Sequence, residues 1–202
     1  VVDGVRLNNA IYRSGHLQNA ITVDNNMLSS TDILFGPGSV IYGSDALGGV
    51  VHFHTKKPLL KGENDFTGFG GSSMLRYNTV NNSMAGHVDF GLGGAKWAYI
   101  GSVTASDYND LKMGSVRAHG YEDFGKFNMN VSQFNGVDSA VVNSNPNLQV
   151  GTGYDQLDLL QKIRFKASED LEFILNTQYS TSSNVNRFDR LNDVKDTVPS
   201  FA

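Results

Sequence analysis

Phe35-Gly36-Pro37-Gly38-Ser39-Val40-Ile41-Tyr42-Gly43-Ser44-Asp45-Ala46-Leu47-Gly48-Gly49-Val50-Val51 is the stretch on which the fold turns. Read physically, it is a strand end, a Gly-Pro turn, a tight segment, and a Gly-Gly pair that leads into another strand. Glycines at 36, 38, 43, 48 and 49 permit positive φ and close backbone approach, as a tightly packed unit requires. The cluster forms neither the strand–GxGxxG–helix nor the GxxxxGK[ST] phosphate-binding pattern, and no following helix is evident. Ser39 and Ser44 stand in no G-x-S-x-G nucleophile elbow. Asp45 and His52 have no spacing that implies a triad.

Around this stretch, residues 1–57 are dense in glycine and carry three short β-type runs: Ile33-Leu34-Phe35, Val40-Ile41-Tyr42, and Val50 through Thr55. Lys56-Lys57-Pro58 closes the region, and Lys61-Gly62-Glu63-Asn64-Asp65 reads as a polar connector. Beyond it the chain alternates. One face of 66–77 carries Phe69, Leu75 and Tyr77. In 84–92, Met84, Val88, Phe90 and Leu92 oppose Ala85, His87 and Asp89. In 97–105 one face reads Trp97, Tyr99, Gly101, Val103 and Ala105. In 157–166, Leu157, Leu159, Ile163 and Phe165 oppose Asp158, Lys162, Arg164 and Lys166. In 171–180, Leu171, Phe173, Leu175 and Tyr179 oppose Glu172, Asn176, Gln178 and Ser180. A period of two gives each strand one apolar and one wet face, and ~10 residues is the length a tilted membrane strand needs.

The connections sort by length. Residues 93–96 and 167–170 are tight turns and 78–83 a modest loop, whereas about 107–155 and everything past 181 are long, polar and irregular. Short turns on one rim and long loops on the other are the signature of an outer-membrane barrel. Trp97, Tyr99 and Tyr179 suit a membrane interface.

Composition narrows the classes. Cysteine is absent, which removes disulfides and thiolate chemistry. A formal charge of −4 and a pI near 5.7 argue against nucleic-acid binding. No apolar run of ~18 residues occurs, so no transmembrane helix is expected, while a transmembrane β-barrel stays open. The opening Val1-Val2-Asp3-Gly4 and the closing Val198-Pro199-Ser200-Phe201-Ala202 lead us to expect a piece of a longer protein.

The spacing of Gly36-Pro37, Tyr42-Gly43, Ala46 and Gly48-Gly49 before a valine-rich strand resembles the end of the plug in TonB-dependent outer-membrane receptors. Val2-Asp3-Gly4-Val5-Arg6 is similar to that family's strand and turn before an apical loop. The resemblance covers 1–57 closely and extends more weakly through the strands. It departs at Phe35, where many members carry arginine, so an ion pair from that position is not expected. The resemblance implies an all-β dominated chain. Residues 1–57 would be the C-terminal part of a small α+β plug domain, 58–65 a connector, and 66–202 the first five or so antiparallel strands of a large transmembrane β-barrel of about 22 strands. It further implies the outer membrane of a Gram-negative bacterium, lipid around the strands, and TonB as the energy-coupling partner through an N-terminal box outside this chain. A surface lipoprotein is compatible with it. No cofactor is expected, and uptake needs no covalent chemistry, so a transporter is expected and not an enzyme.

Ligand candidates lie mainly in Asn8–Asn19, where similar receptors place an apical loop facing the substrate. Tyr12, Arg13, His16 and Gln18 offer stacking, an anion contact, a metal ligand and hydrogen bonding. His119, in the long loop, is a second candidate, and His16 with His119 are possible haem-iron ligands. His52 and His54, two apart on one strand face, form a possible metal pair but read better as ordinary polar strand residues; His87 reads as lumen lining. Asn184 through Leu191 resembles segments of haem-receptor-like members, although alternating Arg and Asp also read as a salt-bridged loop. Haem or a ferric siderophore ranks first as substrate, then cobalamin, then a carbohydrate or peptide. The competing class is a soluble β-rich adhesion or protein-docking module; a β-rich hydrolase would need convergent acid and base residues that the sequence does not offer.

Overall fold

In a computed structural model of the chain, residues 1–7, 22–44, 46–135, 137–184, 194–195 and 198–199 are described. Strand β1 (Leu28–Phe35) pairs antiparallel with β2 (Gly49–Thr55), placing Ile33 opposite Val51 and Phe35 opposite Gly49. Glycine is required at the closing pair. Gly49 has φ 152°, and a Cβ there would stand 2.6 Å from the Leu34 carbonyl oxygen, closer than real side chains come.

The glycine-rich link between these strands differs from expectation at one point. Val40-Ile41-Tyr42, expected as a β-type run, belongs to a single helical turn, α1 (Ser39–Tyr42). Three residues are too few to pair as a strand when local partners are at hand. The Gly38 carbonyl accepts from the Ile41 and Tyr42 amides, and the Ser39 carbonyl from Gly43. Gly43, at φ 93°, then reverses the chain, and the Gly38 amide donates to the Ala46 carbonyl, closing the link. Gly36 also takes a positive φ, whereas Gly48 neither does so nor lies close to any atom a side chain would meet. Val2 bridges in parallel to Phe53, so residues 1–5 run beside β2 and bring Asp3 to Thr55.

After a one-turn 3-10 helix at Glu63–Asp65 come the long strands: β3 (Phe69–Asn78), β4 (Ser83–Gly93), β5 (Trp97–Tyr108), and, after an excursion, β10 (Tyr154–Lys166) and β11 (Glu172–Ser182). They form one five-stranded sheet in the order β11-β10-β5-β4-β3, an up-and-down meander. The sequence placed all five strands, each within a few residues at its ends. The excursion corrects the sequence reading. It is polar but not irregular: β6 (Leu111–Lys112) pairs with β9 (Leu148–Gln149), and β7 (Met129–Phe134) with β8 (Val137–Val142).

The chain divides into two compact units, Val1–Met74 with His87–Thr104 and Leu157–Thr181, and Leu75–Gly86 with Ala105–Gln156 and Ser182–Ala202. In the first, Met27 is wholly buried against Ile100 of β5 and Leu160 of β10. This is the apolar contact that seats the first segment on the sheet. The sheet's alternation then resolves unusually. Leu75, Val88, Leu92, Trp97, Val103, Phe173 and Leu175 are exposed, whereas His87, Asp89, Thr104, Asp158, Lys162 and Arg164 are buried. No helix among the described residues is long and apolar enough to cross a membrane.

Candidate functional site

Burying polar groups costs stability unless each finds a partner. Within the first unit, the polar sheet face meets Asp3, Asp24 and residues 55–63 in a seam of complementary groups, arranged in three clusters.

The first centres on His87 of β4. Its Nδ1 lies 2.6 Å from the Thr104 hydroxyl and its Nε2 3.1 Å from Asp89. Thr104 in turn donates to Asp24 at 2.6 Å, so the imidazole bridges the hydroxyl on one side and the Asp89 carboxylate on the other. Asp89 also accepts from the Ser72 hydroxyl at 2.5 Å and from Lys56 at 3.0 Å. Asp24 reaches this position because it caps the 3-10 helix Asn25–Met27, accepting from the Asn26 amide at 2.9 Å.

The second centres on Asp3. One oxygen accepts from the Thr55 amide at 2.9 Å; the other accepts from the Thr55 hydroxyl at 2.6 Å, Asn176 at 2.8 Å and the Lys162 ammonium at 2.9 Å. Burial alone would push the Asp3 carboxyl up. The hydrogen bonds from Thr55 and Lys162 outweigh it and hold the group below the usual carboxylate range. Lys162 is itself buried.

The third is a fork. Arg164 of β10 grips both oxygens of Glu63, donates to the Pro58 carbonyl at 3.1 Å, and reaches Glu172 of β11 at 2.7 Å. Lys57 closes the far side of Glu172 at 2.8 Å. The Arg164 hydrogen bonds, with one from the Leu60 amide, hold Glu63 down to about 2. Planar, bidentate pairing of this kind is what guanidinium supplies and ammonium does not.

Chemically the seam binds one segment of the chain to a sheet; it presents no nucleophile and base poised on open space. Among the described residues no group of three or more His, Asp or Glu side chains could hold a metal. The β1–β2 face carries His54, which meets Asp32 at 2.9 Å and lies against His52, with ring centroids 3.9 Å apart and planes tilted by 35°. Burial and the neighbouring His54 lower the affinity of His52 for a proton, and His52 Nε2 accepts from the Gly4 amide.

Of the residues picked from the sequence, Tyr12, Arg13, His16 and Gln18 lie outside the described residues, as do residues 185–191. His119 is fully exposed, with Nδ1 3.4 Å from Glu122. The motif residues Gly36, Pro37, Tyr42, Gly43, Ala46, Gly48 and Gly49 all fall in the β1–β2 link or at its closing pair, where Ala46 is buried. His87, read as lining a wet face, is buried in the seam. That part of the face is buried because Asp24, Lys56 and the residues around them pack on it. Asp3, Asp24, Lys56, Glu63, Lys162 and Arg164 were not singled out as a set. Their signal was present in the charges alternating along 157–166 and in the charged ends of 1–65, but nothing local pairs them.

Residues 1–50 match the family model described as the TonB-dependent Receptor Plug Domain. No solved structure matches the chain.

Proposed function

We propose, from residues 1–50 being TonB-dependent receptor plug sequence, that the chain takes part in active uptake of a scarce, bulky nutrient across a bacterial outer membrane. In this reading residues 1–57 are the C-terminal part of the plug, 58–65 the connector, and 66–202 the opening strands and loops of the transmembrane barrel. One observation carries it. The sheet buries its charged face under the plug sequence and leaves its apolar face open, the reverse of a soluble protein and the pattern of a barrel with a lipid-facing exterior and an occupied polar interior.

The seam's chemistry suits a plug that must yield. Ion pairs and hydrogen bonds fix one register, yet both faces can rehydrate when they part, whereas a purely apolar contact could not be wetted without a large penalty. TonB supplies the force, acting through a box upstream of this chain, and no covalent step is involved. Haem or a ferric siderophore is the substrate class we favour, with contacts falling to Tyr12, Arg13, His16 and Gln18 on an apical loop and to His119, whose exposed ring leaves Nε2 for a metal.

Growth tests this directly. A strain lacking the receptor should fail on haem or on ferric siderophore as sole iron source and recover with the intact gene; unimpaired growth on both rejects the substrate class. For the ligand residues, haem affinity unchanged in both His16→Ala and His119→Ala rejects the pairing. Recovery of the whole protein in the soluble fraction of lysed cells would reject the barrel.

A further inference from the structure

The second unit holds an open cavity of about 440 Å³ that the uptake reading does not use, within the ~300–1,000 Å³ usual for small-molecule sites. Its polar wall is made by four amide side chains: Asn81 and Asn82 of the β3–β4 turn, and Asn109 and Asn145 of the 109–153 excursion. Val80 and Leu148 supply aliphatic surface, while Asp110 and Lys112 bring one charge of each sign.

The wall is held in place from behind. Arg117 donates to the Phe124 carbonyl at 2.9 Å and to Asn147 Oδ1 at 2.6 Å. Buried Asn143 donates to the Phe127 and Leu148 carbonyls and accepts from the Asn145 amide. One Asp110 oxygen accepts from the Gly151 and Gly153 amides. The lining amides are oriented too. Asn82 Oδ1 accepts from the Tyr77 hydroxyl, and Asn145 Oδ1 from the Asn147 amide, which leaves each NH2 to donate. Asn109 spends its NH2 on the Asn82 carbonyl, which leaves its oxygen to accept.

We propose that this cavity binds a neutral carbohydrate. Sugar hydroxyls both donate and accept, matching a wall of fixed amide donors and acceptors, and the C–H faces of a pyranose suit Val80 and Leu148. The charge balance decides against anionic ligands: one carboxylate and one ammonium leave no excess cation for a propionate or a ferric chelate. The sugar reaches the site either as a free oligosaccharide or as the core of surface lipopolysaccharide.

The test uses the full receptor purified in detergent, titrated calorimetrically with maltohexaose, laminarihexaose, mannohexaose, and delipidated lipopolysaccharide core oligosaccharide. Asn82→Asp and Asn145→Asp, singly and combined, keep the oxygens that hold Tyr77 and Asn147 while replacing the donating NH2. Unchanged β-sheet circular dichroism confirms that the loop scaffold survives. At least one probe should bind, and the combined variant should weaken it about tenfold or more. Binding of a hexaose alone assigns a free glycan, and binding of the core alone assigns the envelope. No binding by the unmutated receptor up to about 10 mM, a regime of ~3 kcal/mol, or equal binding by the folded variant, overturns the inference. Neither outcome depends on the haem and siderophore growth tests.

Discussion

Arg164 and Glu63, 101 positions apart, meet in a two-pronged pair, Nη1 to Oε2 at 2.5 Å and Nη2 to Oε1 at 3.0 Å. The pair ties residues 58–65 to β10, and its failure would release that segment from the sheet. Arg164→Gln leaves Glu63 and Glu172 facing each other without the shared cation. Removing one partner of a buried pair costs ~3–5 kcal/mol. The Glu63 side chain is 37% exposed, so water screens part of the loss and about 1–3 kcal/mol is expected. Urea unfolding of the purified protein in detergent measures it. A change within about 0.5 kcal/mol, the usual range for surface substitutions, would show that the fork holds nothing.

The same pair sets an acid limit. Glu63 titrates at about 2 in the fold, below the ~4.3 of a free glutamate. A depressed carboxyl contributes stability that is complete above the unfolded value and is lost as pH falls through the folded one. The free energy of urea unfolding should therefore fall between about pH 4.5 and about pH 2. In Glu63→Gln it should start lower and fall less steeply across that window. An identical pH profile in the variant would remove Glu63 as the titrating group.

How much of this could be read beforehand follows from the range of each interaction. The faces of β3, β4, β5, β10 and β11 are readable because alternation is local: Val88 and Phe90 declare one side, His87 and Asp89 the other. The β1–β2 link is readable as a turn system from Gly36-Pro37 and Gly48-Gly49. The helical turn at Ser39–Tyr42 is not, because β-branched Val40 and Ile41 argue for a strand and only the carbonyls of Gly38 and Ser39 decide otherwise. The seam is the least readable part. Asp3 meets Lys162, Asp24 meets Thr104, and Arg164 meets Glu63 across separations that leave no pattern in any window. The excursion hides its order similarly, since Arg117 and Asn143 fasten it through backbone carbonyls and an amide that no local pattern marks.

Met27 tests the apolar side of the contact. It is the wholly buried member of the cluster with Ile100 and Leu160, so Met27→Ala opens a cavity where residues 25–27 rest on β5 and β10. A loss of about 2–5 kcal/mol is expected, toward the lower end if neighbouring side chains collapse inward. Met27→Leu, which conserves volume, should cost less than ~1.5 kcal/mol. Equal stabilities for the two variants would mean that the seam's polar groups alone hold the segment.

The paired glycines separate by position. At Gly49 an added methyl meets the Leu34 carbonyl oxygen at 2.6 Å on a backbone of φ 152°, so Gly49→Ala must distort the β1–β2 pairing; strain at such positions costs ~1–3 kcal/mol. At Gly48 nothing lies within 4 Å and φ is not positive. Gly48→Ala should be neutral or slightly stabilising, by up to ~1 kcal/mol, through reduced freedom of the unfolded chain. Paired thermal melts of the two variants check the contrast; equal melting temperatures would show that Gly49 carries no steric constraint.

The exposed face gives the sharpest discrimination between a membrane strand and a soluble one. Val88 sits mid-strand in β4 with 55% of its surface open, between buried His87 and Asp89. On a soluble sheet Val88→Arg would be close to neutral, since exposed positions accept charge. On a lipid-facing strand an arginine near the bilayer midplane costs ~2–4 kcal/mol, falling toward zero near the interfaces. Leu92, one residue from the end of β4, should therefore tolerate arginine better than Val88. Folding of both variants into phospholipid vesicles, followed by heat-modifiable migration on gels, reads the difference. Val88→Arg is expected to fold poorly and Leu92→Arg nearly as well as the unmutated protein. Equal and efficient folding of both would place this face in water and remove the membrane barrel from the proposed function.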